Sequence, residues 1–359
     1  MSDTEVGLDA DVYDAAHAAF ETCSTVVRTD LDAAALAAEA LRTAGELGFL
    51  DIHARSSRAG SPFSFRYAGR VAEAAGYWLV HPLVLHHLCA VAVADEARLP
   101  QTAHEGLITG TVPSLFAWRE SSTVRELIVP GVVDDAGGLF LATGSNAPEF
   151  IAPDRFRLAQ RDDRYRTATW GGTVVTLDNA AQGSGGLDDP GAAGEDVHGQ
   201  ELDMLAPDLL LAGALAGMYV LGGARRLVEI SVQYAGQRVQ FGQPIATFQA
   251  LKHALADAEI ALQHARALTL GVLTDAGAPS SDDDESIRDR VLAKIAADRA
   301  ASAVAETALQ VHGGIGFTWE SMVHQYLKAF VDLAAAPLPS ARMLTVAWRT
   351  AAAAAGSNR

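Results

Sequence analysis

Residues 234–253 read YAGQRVQFGQPIATFQALKH, and they place a guanidinium, an aromatic ring, a glycine and a proline at one chain reversal. Arg238 and Phe241 lie three apart, so a helical end would present both on one side. Gly242 can take the left-handed conformation that stops a helix, and Pro244 prevents its continuation. A planar cationic fork beside an aromatic face suits an anionic, ring-bearing ligand. A plain helical hairpin, with a surface Arg238 and a core Phe241, accounts for the same spacing without a ligand. A second stretch, ALQVHGGIGFTWE at 308–320, is again a helix running into glycines.

Helices must position both stretches. Apolar spacing resumes at Phe248, Leu251, Leu255 and Ile260, and helices are expected near 207–238, 247–275, 284–312 and 319–333, with a last one after Pro339. Long amphipathic helices on short turns make a four-helix bundle. The acids of SSDDDES (280–286) suit a helix N-terminus or a solvated loop. Before the bundle, helices are expected at 12–22, 31–47, 65–75 and 82–94. Runs such as ELIVPGVVD, GLFLATG and TVVTLDN between 107 and 179 are β-rich and punctuated by Gly, Pro and Asn. Residues 182–200 are rich in Gly and Asp and read as a flexible crossing. The expected organisation is mainly α with a small central β-domain: 1–106 helical, 107–182 β, 183–204 linker and 205–359 helical bundle.

Composition excludes several classes. A chain of 359 residues has room for two or three packed units. The formal charge of −17 opposes nonspecific nucleic-acid binding and anionic membrane surfaces. Lys252, Lys294 and Lys328 are the only lysines, so arginine carries most of the positive charge. No apolar run reaches membrane-spanning length, and the acidic start lacks the features of a signal peptide, so the expected location is cytoplasmic. Cys23 and Cys89 are too few for a disulfide framework. His81, His86 and His87 lack carboxylate or Cys partners at ligand spacing, so no metal site is expected.

The two glycine-bearing stretches together resemble the C-terminal domain of the acyl-CoA dehydrogenase family. The matching features are Arg238, Gln240-Phe241-Gly242, Pro244-Ile245 and Phe248-Gln249, then Gln310, Gly313-Gly314 and Gly316. The resemblance is specific over about 205–335, loose over 33–100 and poor between. GGIGFTWE looks like an actinobacterial branch acting on bulky, often steroid-derived, CoA thioesters. The resemblance implies an N-terminal helical domain, a middle β-domain and a C-terminal bundle that also builds a tetramer core. It also implies FAD shared across a subunit boundary. Arg238 would pair with the pyrophosphate, a task for which a lysine is less suited. Phe241 would pack against the adenine side, and Gln249 and Gln310 would supply amide donors and acceptors. Gly313 and Gly314 would let backbone approach the phosphates.

The acid–base residue departs from the pattern. The family's glutamate stands in one of two places. The first aligns with Ala212, on a helix (208–228) with no carboxylate other than Asp208; Tyr219 stands where some relatives have Glu. The second falls in AFVDLAAAPLPSAR (329–342), and no Glu follows Glu320, which matches a structural position. Asp208 and Asp332 are the substitutes available. The family's Glu-Pro/Gly-Ser-Asp and Ile-Thr flavin turns are also missing; VPSLFAWRESS stands at the first. The resemblance therefore implies the non-catalytic chain of a heteromer. Its partners would be a second acyl-CoA dehydrogenase-like subunit with the glutamate, the acyl-CoA, and an electron-transfer flavoprotein or similar acceptor. The alternatives are a homomeric enzyme with a relocated base and an assembly scaffold without flavin.

Overall fold

The computed structural model describes residues 3–26, 32–54, 64–94, 99–118, 126–130, 133, 135–143, 146–160, 172–178, 207–276, 284–318 and 321–335. Among these residues five helices come first: α1 (Asp3–Glu21), α2 (Ala33–Glu46), α3 (Ser64–Tyr77), α4 (Leu83–Val93) and α5 (Gln101–Thr109). Strands β1 (Ser114–Trp118), β2 (Glu126–Pro130), β3 (Gly138–Thr143), β4 (Asn146–Ile151), β5 (Phe156–Gln160) and β6 (Gly172–Leu177) follow. The bundle comprises α6 (Pro207–Gln237), α7 (Gln249–Asp275), α8 (Asp284–His312) and α9 (Val323–Ala335), with the two-residue strands β7 (Val239–Gln240) and β8 (Gln243–Pro244) between α6 and α7. The expected linker, the segment before α3, Glu320 and the helix after Pro339 lie outside the described residues.

Helix α6 is the axis of the chain. Its 31 residues extend about 46 Å at helical rise, and it packs against α3 and α4 on one side and α7, α8 and α9 on the other. Alanines and glycines let the backbones meet. A Cβ on Gly76 would fall 1.8 Å from the Tyr219 carbonyl oxygen, and one on Gly222 would fall 1.9 Å from that of Glu73. The α3–α6 crossing is therefore closed to any larger residue at either position.

The end of α3 gathers four side-chain hydroxyls. Leu79 has φ 52, a left-handed conformation that costs a branched residue energy, and it is fully buried. It turns the chain so that four successive carbonyls lose helical partners. Hydroxyls replace them. Tyr326 donates to Tyr77 O at 2.6 Å, Ser24 to Trp78 O at 2.7 Å and Thr25 to Leu79 O at 2.6 Å; Tyr219 donates to Val80 O. Elements from both ends of the chain thus converge on one helix terminus.

The β-domain is two three-stranded sheets. In the first, β1 runs parallel to β3 (Leu115 opposite Leu139), and β4 closes it antiparallel. In the second, β6 lies between β2 and β5, with Val175 opposite both Leu127 and Leu158. Strands β2, β3 and β6 stand where the apolar runs place them, whereas β1, β4, β5 and α5 carried too weak a periodicity to be read.

Candidate functional site

The structure corrects the expected helix end at Arg238. Helix α6 stops at Gln237, and residues 239–244 form a small hairpin with Gln240 opposite Gln243. Phe241 and Gly242 occupy its tip with φ 52 and φ 81, both positive, as a two-residue mirror-image turn requires. Gly242 is therefore a hairpin residue and not the cap that ends α6. Nor do Arg238 and Phe241 share a helical face. The Arg238 amide donates to Tyr234 O and its carbonyl accepts from Ile245 N–H, each at 2.8 Å. These bonds close the base of the hairpin and leave the guanidinium exposed.

Phe241 is 92% exposed, so it is not a core residue. Its ring meets Phe248 edge-on with centroids 6.1 Å apart. Phe248 caps α7, after a short 3-10 turn at Ile245–Thr247. Gln249 opens α7 and is exposed; Ile260, expected on the apolar side of that helix, is exposed as well.

The second motif arrives at the same end of the bundle. Helix α8 ends at His312, and Gly313–Phe317 form a 3-10 turn. The His312 ring stacks on Tyr234 at 4.4 Å and 24°, which fastens the end of α8 to the end of α6. Gln310 lies one turn back and faces Phe248 across a groove of about 480 Å³, with Ile245, Leu251, Thr307 and Val311 as its other main walls. Gly313 needs its glycine for φ 62, yet Gly314 does not, and a Cβ on either would meet nothing within 4 Å. From 231 to 256 and from 307 to 318 the sequence contains no carboxylate, although the whole chain has 44. An exposed guanidinium, an edge-on aromatic pair, two exposed amides and open glycine backbone form a fitting cradle for a dinucleotide's phosphate and ring end.

The positions that could hold a base are occupied differently. Ala212 is fully buried, and its carbonyl accepts from the Cys89 thiol at 3.5 Å. Burial pushes that thiol's pKa up. Tyr219 is committed to Val80 O, and burial holds its hydroxyl well above the usual phenol range. Asp208 lies in the first turn of α6, with its side chain outside the described residues. Asp332 is half-buried on α9, far along the sequence from the first helix of the bundle.

Among the described residues, carboxylates invisible to motif reading are buried instead, Glu73 and Asp298 most deeply. Glu73 on α3 is fully buried and bonds Arg70 and Arg266, the latter at 2.7 Å; the two guanidiniums engage both of its oxygens. Asp298 pairs with Lys294 on α8, a fully buried lysine that also reaches Leu333 O at 3.5 Å.

Among the described residues no group of three or more His, Cys, Asp or Glu side chains could hold a metal ion, and both cysteines are free. No helix among them is long and apolar enough to cross a membrane.

Residues 209–331 match the family model described as acyl-CoA dehydrogenase, C-terminal domain. Acyl-CoA dehydrogenase IpdE2 of Mycobacterium tuberculosis is 38% identical over 136 residues, which cover 37% of this chain and 40% of that protein. The match thus spans less than half of that relative. Among solved structures, the chain is similar to the ChsE4-ChsE5 complex from Mycobacterium tuberculosis, with 20% identity and a TM-score of 0.73 over 98% of each chain. It is also similar to butyryl-CoA dehydrogenase from Megasphaera elsdenii, with 17% identity and a TM-score of 0.71 over 97% of each. At those identities the likeness speaks for the fold.

Proposed function

We propose that this chain, whose residues 209–331 match the acyl-CoA dehydrogenase C-terminal domain and which shares the helical–β–helical fold of the similar solved structures, is a half-site subunit of that family. It would be the partner chain, without the catalytic glutamate, in a cytoplasmic heteromeric enzyme that introduces an α,β double bond into a bulky acyl-CoA. The observation that carries this reading is a contrast within one chain. The cradle at the end of the bundle is exposed and unused by the fold, while the position of the base is packed with alanine.

FAD, when bound, supplies the acceptor for the β-hydrogen as hydride. This chain's residues would hold the cofactor's far end. Arg238 would pair with the pyrophosphate, and Phe241 would cover the adenine side. Gln249 and Gln310 would bond polar edges, and Gly313 and Gly314 would admit the phosphates. The flavin ring, the thioester and the glutamate that takes the α-proton would belong to the second subunit. Electrons would leave to an electron-transfer flavoprotein or similar acceptor. Loss of a placed base costs on the order of 10²–10⁴ in rate, so this chain alone is expected to be inactive.

The test is to express the chain by itself and with any dehydrogenase-like chain, bearing the glutamate, that a neighbouring reading frame encodes. Flavin content and turnover with an artificial acceptor are then compared on short, long and steroid-side-chain CoA esters. Turnover confined to the pair, with preference for the bulky ester, is expected. Robust turnover by the homomer overturns the reading, and Asp208→Asn and Asp332→Asn then locate the base.

A further inference from the structure

Helix α4 carries two adjacent histidines whose rings do not point at one another's chemistry but at the backbone of the β-domain. His87 is fully buried. Its Nδ1 lies 2.8 Å from Leu107 O, and its Nε2 lies 2.8 Å from the Ser114 amide nitrogen. A carbonyl can only accept and an amide can only donate, so these contacts fix the ring as neutral with its proton on Nδ1. His86 Nδ1 meets Phe116 at its carbonyl oxygen, 3.1 Å away, and at its amide, 3.3 Å away.

Ser114 and Phe116 both lie on β1, two residues apart, so their amides point the same way along the strand. Among the described residues strand β1 is at the edge of its sheet, with β3 on its other side. An edge strand leaves a row of unpaired backbone groups that must be covered. Here imidazoles cover it, and they do so at the junction where the helical start of the chain hands over to the sheets.

We propose that His86 and His87 form an acid-labile joint that holds the β-domain against the helices at neutral pH and releases it as the pH falls. A proton added to His87 Nε2 would face the Ser114 N–H, setting donor against donor and orphaning a buried amide. Around the ring, α5 presents the Leu107 carbonyl and β1 the Ser114 amide. Among the described residues His86 is the one titratable group whose charge bears on it. Burial, aided by His86 and opposed by the bond to Leu107, lowers the His87 pKa from 6.5 to about 4. The joint gains its full stability above the unperturbed value near 6.5 and loses it progressively as pH drops toward 4. Relative to pH 7, opening should rise roughly eightfold by pH 5.5 and about sixtyfold by pH 4.5. This inference stands apart from the half-site reading and survives its failure.

Hydrogen exchange of the full chain at pH 7 and pH 4.5, corrected for intrinsic rates, tests it. Amides of β1 should lose protection in acid while those of α8 keep theirs. In His87→Gln, which keeps a donor and an acceptor but cannot titrate, the acid sensitivity of β1 should vanish. Joint loss of β1 and α8, or an unchanged acid response in the variant, overturns the proposal. Should the variant not fold, the nitrogen shifts of the native His87 ring at pH 7 decide: a proton on Nε2 overturns it.

Discussion

At the end of α6 Phe241 stands 92% exposed on a left-handed backbone, while the first turns of the same helix bury Ala212 and Tyr219 completely. One region spends conformational strain on a side chain that packs little; the other uses each atom for packing or for capping α3. Strain without packing reward supports the proposed cofactor-holding role of this end of the bundle. Full packing around Ala212 leaves a larger side chain no exposed space at that position.

Placing a carboxylate at Ala212 is the hardest way to break this contrast. Ala212→Glu buries an unpaired charge and is expected to cost about 3–5 kcal/mol, read as a collapse of the melting transition. A folded variant with turnover would mean that the site is open after all. Severing the ion pair on α8 is next. Lys294→Met removes the buried cation paired with Asp298 and should cost about 3–5 kcal/mol, whereas Lys294→Met with Asp298→Leu should recover most of it; denaturant midpoints compare them. Tyr219→Phe leaves Val80 O without its hydroxyl and should cost about 1–3 kcal/mol. No loss would mean that the capping role is incidental.

The cradle should respond in the opposite manner. Arg238→Ala is expected to leave stability within about 0.5 kcal/mol, as exposed substitutions usually do. Flavin retention by the assembled complex should weaken by about 1.5–3 kcal/mol, and Arg238→Lys should restore only part. Equal flavin content in both variants after gel filtration would remove Arg238 from the site. The smallest effect is Phe241→Gly, which relieves the positive φ and should stabilise the chain by several tenths of a kcal/mol while reducing flavin content. A loss of stability would mean that the exposed ring supports the hairpin.

The bundle was legible because long runs of helical spacing leave little choice, and helices 207–237, 249–275 and 284–312 fall within two residues of expectation. The motif residues Arg238, Gln249, Gln310, Gly313 and Gly314 do gather at one end. The hairpin escaped notice because two-residue strands have no periodicity, so Gly242 reads equally well as a cap. Glu73 and Lys294 escaped for another reason. A charged residue on an amphipathic helix reads as surface, and only the packing of α3 on α6 and α7 puts Glu73 inside. The histidines of α4 gave no metal spacing, but nothing in their order announces that they face a strand edge.

The four hydroxyls at the end of α3 reach across separations of 54, 139 and 249 residues. Chain synthesis delivers α3 early and Tyr326 last, so the Tyr77 carbonyl lacks its native partner until α9 has emerged and docked. Contacts of such span slow folding, because distant segments must meet before any reward appears. The amino-terminal helices are thus incomplete as an autonomous unit, and a nascent chain halted before α9 presents an unfinished helix end to chaperones and proteases.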